Sequence, residues 1–448
     1  MLEFRVVSAR LELRYCGFSA KGGDAFGSHR MSLVRPALGD PAVDAARLLR
    51  RLAFIILMMV APVSEALSHG LLYVLLPVGA GILVIAGLLT GGEQAQNRLA
   101  GALATSVAAG VALLTCWSAL SLIWTLFPGE ASARLGRTLL TGGIAMLAIV
   151  FQPERTKISN IYLLPMGVAI TAAATSMMIL FGPVSFVEGG NPDQTLAQRC
   201  IMSLVILLWP ALGALALRDR FIMAISLAAL VVIALLAAFS QIALAALMAA
   251  ALVYVAAMTS PERVARIAGY GVGTVMLAAP LFAALLYFLF GLAHVSGGGS
   301  MAVFSDLVVH EWPRFITGHG LDMAERGIEI GLLPPNAPSS IIFTLWYELG
   351  VIGVAGFAFL MAMVFRAAGN APAHAAPAIL AALTAGLVIA IFGTETTELW
   401  WMTLNGIAAI ALALLVKAHP RPKRPPAPVA DDEDETEDGF GLSRASEF

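Results

Sequence analysis

Long runs of apolar residues, separated by short polar breaks, dominate the sequence between residues 52 and 416. A helix that crosses a membrane needs roughly 20 mostly apolar residues. The runs do not alternate with a period of two, so they predict helices rather than the strands of a membrane barrel. We expect about twelve membrane-spanning helices, near residues 52–68, 70–90, 99–127, 138–151, 161–182, 200–217, 221–239, 241–258, 270–293, 341–365, 376–393 and 399–416.

The composition supports the same class. Hydrophobic residues make up 59% of the chain and charged residues 12%, with a mean hydropathy of +0.85, whereas a soluble domain carries about 25% charged residues. The cysteines Cys16, Cys116 and Cys200 are far apart and lack the spacing of a zinc or haem site. No nucleotide-binding glycine motif is present. We therefore expect an all-α integral membrane protein that needs no metal or other cofactor.

The two ends of the chain differ from the middle. Residues 1–50 are rich in arginine and predict a basic cytoplasmic arm, and residues 51–416 form the predicted transmembrane domain. Residues 417–448 are first Pro-rich and then acidic. Such a segment has too few apolar residues to fold, so we expect a disordered cytoplasmic tail.

The distribution of Lys and Arg predicts the orientation. With both termini in the cytoplasm, most basic residues fall in the arm, the tail and the short cytoplasmic loops, as is typical of membrane proteins. The exception is the predicted loop 128–137, which carries Arg134 and Arg137. The longest polar interruption, residues 295–340, then lies on the outer face between the ninth and tenth helices.

This outer loop holds the richest set of candidate functional side chains. Arginine binds phosphate groups through two parallel hydrogen bonds, and histidine exchanges a proton near neutral pH. Each residue alone could be a solvated loop charge, but their grouping around two glycines favours a site. The residues are His310, Arg314, His319, Asp322 and Arg326.

Two more charged residues lie near membrane depth, where charge is costly. Arg199 directly precedes the sixth predicted helix. It is either a helix-end residue that reaches the lipid headgroups or an anion-binding group that faces a cavity. Glu348 lies just inside the tenth predicted helix and could pair with an arginine on the outer side.

Four segments form a recognisable set. SALSLIWTLFPGEASARLGR ends the third predicted helix, AQRCIMSLVILLWPAL opens the sixth, FITGHGLDMAERG lies in the long loop, and YELGVIGVAGF follows it. Together they resemble the bacterial O-antigen ligase and polymerase superfamily, over residues 50–416. Twelve helices with one large outer loop also agree with that family.

The resemblance implies a protein of the bacterial inner membrane. Such proteins take a glycan from an undecaprenyl-diphosphate carrier on the periplasmic face and join it to an acceptor. The acceptor is lipid A core or a growing polysaccharide, and neither a cofactor nor nucleic acid takes part. The implied partners are the lipid-linked glycan, its acceptor and the membrane lipids.

The resemblance also implies roles for individual residues. Family ligases usually carry His-Asn before the ELGxxG helix, whereas Pro335 precedes Asn336 here. His310 and His319 are therefore the candidate catalytic residues. The predicted substrate-binding residues are Arg199, Arg314, Asp322, Arg326 and Glu348.

Two other function classes stay open at this point. Twelve helices with Gly and Pro interruptions are compatible with a transporter or permease. The absence of the family histidine before Asn336 is compatible with a non-catalytic protein that assists the assembly of envelope polysaccharide.

Overall fold

The structure is a computed structural model, and its described part consists of helices joined by turns and short connections. The described residues are 41–68, 70–90, 92–153, 160, 162–181, 194–290, 303, 312–334, 337–338, 340–393 and 399–418. Most of the predicted arm and tail, together with His310, Pro335 and Asn336, lies outside these residues.

Sixteen α-helices can be assigned in the described part of the chain. A short π-helical segment, Ile56–Val60, joins the first two. The helices are α1 (Pro41–Ile55), α2 (Ala61–Glu65), α3 (Leu71–Leu88), α4 (Gly92–Leu103), α5 (Ser106–Ser121), α6 (Pro128–Phe151), α7 (Leu163–Phe181), α8 (Gln194–Ala216), α9 (Phe221–Ala237), α10 (Gln241–Thr259), α11 (Pro261–Phe290), α12 (Trp312–Thr317), α13 (Met323–Glu329), α14 (Ile341–Gly369), α15 (Ala376–Phe392) and α16 (Leu399–Lys417).

The apolar helices confirm a multi-pass, α-helical membrane protein. Within the described ranges, eight helices are long and apolar enough to cross a membrane. The number rises to nine if α4 and α5, which meet at an angle of 66°, form one broken span. Two shorter apolar helices, α9 and α15, coincide with further predicted spans. The total of twelve spans and the outer position of residues 295–340 stay predictions.

Helix α8 lies at the centre of the bundle. Its residues between Cys200 and Leu215 are almost all buried, and it packs against α7, α9, α15 and α16. A helix that is apolar on all sides is typical of such a position. This burial explains the continuous apolar run after Arg199, which lies in the second turn of α8.

Helix α6 begins ten positions before the predicted span 138–151, so the assignment of residues 128–137 to a loop is wrong. Pro128 at the first helical position and Glu130 in the first turn are typical signals of a helix start. Arg134 and Arg137 therefore lie on the first turns of a long apolar helix. Neither belongs to a surface loop.

Helix α14 is broken near its start. Gly350 has φ of 64° and ψ of −167°, which interrupts an otherwise continuous helix of 29 residues. Beyond the break, α14 packs closely along α11, where Gly269 lies against Phe365 and Ala362. Small residues at such contacts let two membrane helices approach each other closely.

Candidate functional site

The GHG turn (residues 318–320) lies against the break in α14. Because the break interrupts the helical hydrogen-bond ladder, carbonyl groups just before it need donors from elsewhere. The backbone N–H of His319 donates to the carbonyl of Tyr347 at 2.8 Å. The N–H of Gly320 donates to the carbonyl of Glu348 at 3.0 Å. The loop therefore supplies hydrogen bonds that the broken helix cannot make internally.

The next carbonyl group of α14 accepts a hydrogen bond from a side chain. Trp117 on α5 donates its Nε1–H to the carbonyl of Leu349 at 2.9 Å. Three successive carbonyls, at 347–349, thus accept hydrogen bonds from outside α14. Irregular backbone at membrane depth is tolerated only where such partners exist. The GHG turn and Trp117 together stabilise the break.

Both glycines of the GHG turn are required by their backbone conformation and by crowding. Gly318 has φ of 76° and Gly320 φ of 106°, in the region that favours glycine. A Cβ on Gly318 would lie 2.6 Å from the nitrogen of Leu349. A Cβ on Gly320 would lie 2.7 Å from the Cα of Thr125. A side chain at position 318 would push the turn away from α14, and one at position 320 would push it away from Thr125.

A charge cluster (Arg134, Asp322, Arg326 and Glu348) joins the loop to the helix bundle. Nη1 of Arg134 lies 3.0 Å from Oε1 of Glu348 and 3.2 Å from Oδ1 of Asp322. Nε of Arg326 donates to Oδ2 of Asp322 at 2.9 Å. This hydrogen bond raises the pKa of Arg326 above its ordinary value.

Glu348 is the most deeply buried member of the cluster, with 3% of its side chain exposed. A buried carboxylate is costly unless it is paired and hydrogen-bonded. Arg134 supplies the opposite charge, and the backbone N–H of Ala324 donates to Oε1 at 3.3 Å. Glu348 therefore holds α6 and the start of α13 at fixed positions beside α14.

The cluster forms one wall of a polar cavity of about 420 Å³. The cavity lies at the amino-terminal ends of α3, α6 and α16, with α13 across it, so it is at one end of the helix bundle. Three arginines and three carboxylates contribute to its walls. The lining residues are Tyr73, Arg134, Arg137, Thr138, Asp322, Glu325, Arg326, Glu329, Leu399 and Met402.

Three of the predicted binding residues meet in this cluster: Asp322, Arg326 and Glu348. Arg199 lies at the same end of the bundle but over Trp400, with 5.2 Å between its guanidinium carbon and the ring centre. Trp400 is the neighbour in sequence of Leu399, which lines the cavity. The side chain of Arg314 is exposed, and its carbonyl accepts a hydrogen bond from Gly318.

His319 supports the turn through contacts with Tyr347. The two rings stack with 4.0 Å between their centres, and Nδ1 lies 3.1 Å from the carbonyl oxygen of Tyr347. Because a carbonyl only accepts, Nδ1 carries the proton in this contact. His319 is buried and does not contribute to the described lining of the cavity. Its predicted catalytic role stays a prediction, as does that of His310.

Sequence reasoning missed Arg134 and Arg137 as site residues. Their signal was the one breach of the charge asymmetry, at residues 128–137. Charged residues within an apolar helix are candidate functional groups. Both arginines belong to this class because α6 begins at Pro128.

Comparisons of the chain with protein-family models and with curated proteins found no match.

Proposed function

We propose that this protein transfers a glycan from an undecaprenyl-diphosphate carrier to an acceptor on the periplasmic face of the bacterial inner membrane. The acceptor would be lipid A core or a growing polysaccharide. The sequence resemblance to the O-antigen ligase and polymerase superfamily suggests this chemistry. In the structure, the observation that supports the proposal is the cavity lined by Arg134 and Arg137.

The walls of the cavity match the two parts of a glycosyl diphosphate. Arginine guanidinium groups bind phosphate oxygens and would stabilise the negative charge that develops on the leaving diphosphate. Carboxylates, Thr138 and Tyr73 offer the hydrogen-bonding groups that sugar hydroxyls need. The volume of about 420 Å³ falls in the range of small-molecule sites.

Arg137 is the arginine best suited to the diphosphate. Arg134 already pairs with Asp322 and Glu348, and Arg326 pairs with Asp322. The described contact of Arg137 is a hydrogen bond from Nε to the carbonyl of Ala133 on its own helix. Its Nη atoms are therefore the donors that we assign to the substrate.

The reaction also needs a base for the acceptor hydroxyl. Glu325 is exposed and lines the cavity, so it joins His319 and His310 as a candidate. Glutamine at position 325 keeps the size of the side chain and removes its basicity. Loss of transfer in Glu325→Gln with normal transfer in His319→Gln would assign the base to the carboxylate.

A cellular experiment tests the proposal. Cells without this protein, complemented with the wild type or with Arg137→Gln, are compared for surface glycans by gel electrophoresis. We expect the wild type to restore long chains on lipid A and Arg137→Gln to leave them absent. Arg220→Gln, which changes an arginine outside the described cavity lining, is the matched control and should behave as wild type. Normal glycans in the deletion strain would refute the proposal.

The broken helix α14 and the bent pair α4–α5 also suit a transporter, since discontinuous helices form many transport sites. The described ion pairs that reach from one helix to another, however, lie in the charge cluster at one end of the bundle. Uptake of a solute into proteoliposomes, with no release of undecaprenyl diphosphate from a glycan donor, would favour transport over transfer.

A further inference from the structure

A second polar cavity, of about 480 Å³, lies between helices α11 and α14. Its lining comes from the first turns of α11 and the last turns of α14. The two helices converge here because Gly369 packs against Ala265. The residues are Glu262, Ala265, Arg266, Gly269, Tyr270, Ala362, Met363, Arg366 and Asn370.

This cavity is at the opposite end of α14 from the charge cluster. A helix rises about 1.5 Å per residue, so the stretch from Glu348 to Arg366 spans roughly 27 Å. The hydrocarbon core of a bilayer is about 30 Å thick. When the charge cluster lies near one membrane surface, Arg266 and Arg366 therefore lie near the headgroups of the other.

The lining of the cavity favours an anion. Arg266 and Arg366 approach it from different helices, and Glu262 is the one carboxylate among the described lining residues. Both arginines are exposed. Two guanidinium groups from two helices can hold one phosphate group between them, because each donates parallel hydrogen bonds. The asparagine at 370 adds a neutral donor at the same end.

The surroundings of the cavity favour a lipid as the source of that phosphate. Two side chains near the start of α11 are largely exposed: Ile267 is 73% exposed and Tyr270 is 68% exposed. An apolar side chain and an aromatic ring at this depth are typical of a surface in contact with acyl chains and headgroups. A phospholipid could place its phosphate between the arginines and its chains along these residues.

We propose that Arg266 and Arg366 form a binding site for the phosphate of an anionic phospholipid. The site is distinct from the cavity that carries the proposed transfer reaction. Basic pockets between membrane helices bind anionic headgroups through the same combination of charge and apolar surface. The bound lipid would hold α11 and α14 together at the end remote from the GHG turn.

The test uses the purified full chain in detergent, with lipid binding read by native mass spectrometry. Phosphatidylglycerol, phosphatidylcholine and inorganic phosphate are added separately. We expect phosphatidylglycerol to stay bound and phosphatidylcholine to be released. Arg266→Gln and Arg366→Gln should each weaken retention roughly fivefold, as expected for one basic residue near an anionic headgroup. Arg263→Gln is the matched control on α11, one turn away and outside the described lining, and should retain lipid as wild type does.

The remaining outcomes are equally informative. Binding of inorganic phosphate that both variants weaken would support the site and identify a soluble phosphate as its ligand. Equal loss in Arg263→Gln would mean diffuse surface charge and would overturn the proposal. Equal retention of both lipids by the wild type would overturn it too. Size-exclusion profiles of all variants show whether each stays folded, and a conservative Arg366→Lys variant should keep part of the binding.

Discussion

Nη1 of Arg134 on α6 lies 3.0 Å from Oε1 of Glu348 on α14, and the same nitrogen lies 3.2 Å from Oδ1 of Asp322. One guanidinium group thus joins two helices of the bundle to the segment that follows the GHG turn. Glu348 is buried and Arg134 is mostly buried. The stability of the site therefore depends on this pair.

Arg134→Ala should destabilise the protein strongly. The change leaves Glu348 buried without its cation, which typically costs about 3–5 kcal/mol. Denaturant unfolding in detergent, followed by circular dichroism, measures the loss. The double variant Arg134→Met/Glu348→Leu removes both charges and should recover most of the stability. Wild-type stability of the single variant would show that the pair contributes little.

Gly320→Ala should cost more stability than Gly331→Ala. Both glycines have positive φ, so each alanine suffers conformational strain of about 1–2 kcal/mol. A Cβ at Gly331 meets open space, whereas a Cβ at Gly320 would lie 2.7 Å from the Cα of Thr125. Both variants share the conformational strain, so the difference between their thermal unfolding midpoints measures the effect of crowding at Gly320. Equal midpoints would contradict the close approach of the GHG turn to Thr125, in the connection between α5 and α6.

Trp117→Phe should destabilise the break in α14. The variant keeps an aromatic ring but removes the donor to the carbonyl of Leu349, and an unsatisfied buried group costs about 1–3 kcal/mol. Trp124→Phe is the matched control, because Nε1 of Trp124 has no hydrogen-bond partner among the described residues. The two rings lie 5.8 Å apart, so both variants change one local environment. A similar loss of stability in both variants would show that packing of the indole rings, and not the hydrogen bond to Leu349, causes the effect.

Asp322→Asn should loosen the loop while keeping the shape of the side chain. Asp322 accepts hydrogen bonds from Arg134 and Arg326, and bonds to charged groups contribute about 1.5–3 kcal/mol. Glu329→Gln is the control. Its oxygen lies 3.9 Å from Arg326 on an exposed surface, where an ion pair contributes about 0–1 kcal/mol. Faster proteolysis within residues 312–334 should follow the first change and not the second.

The apolar pattern predicted a multi-pass helical membrane protein, because every stretch that meets lipid or the bundle core must be apolar. The grouping around two glycines singles out Asp322 and Arg326 in the sequence, and the cost of charge near membrane depth singles out Glu348. These signals are local in the sequence. They depend on residue type and need no knowledge of the three-dimensional contacts.

The sequence pattern could not predict contacts between segments that are distant along the chain. The break at Gly350 lies within an apolar run that reads as one continuous helix. Its stabilisation depends on Trp117 and on the GHG turn, which are far away in sequence. The sequence pattern places Arg134 in a loop, because the apolar run after it begins at residue 138. The partner of Glu348 therefore became visible only in the folded chain.

Release of undecaprenyl diphosphate is the measurement that tests the proposed transfer most directly. The full chain is reconstituted in vesicles with an undecaprenyl-diphosphate-linked oligosaccharide and an acceptor glycolipid, and both products are followed by chromatography. We predict that the free carrier and the extended acceptor appear together. Arg137→Gln should slow both about 100-fold, a loss typical when one group that stabilises developing negative charge is removed. Folded protein that releases no carrier, or an Arg137→Gln variant as active as the wild type, would contradict the proposal.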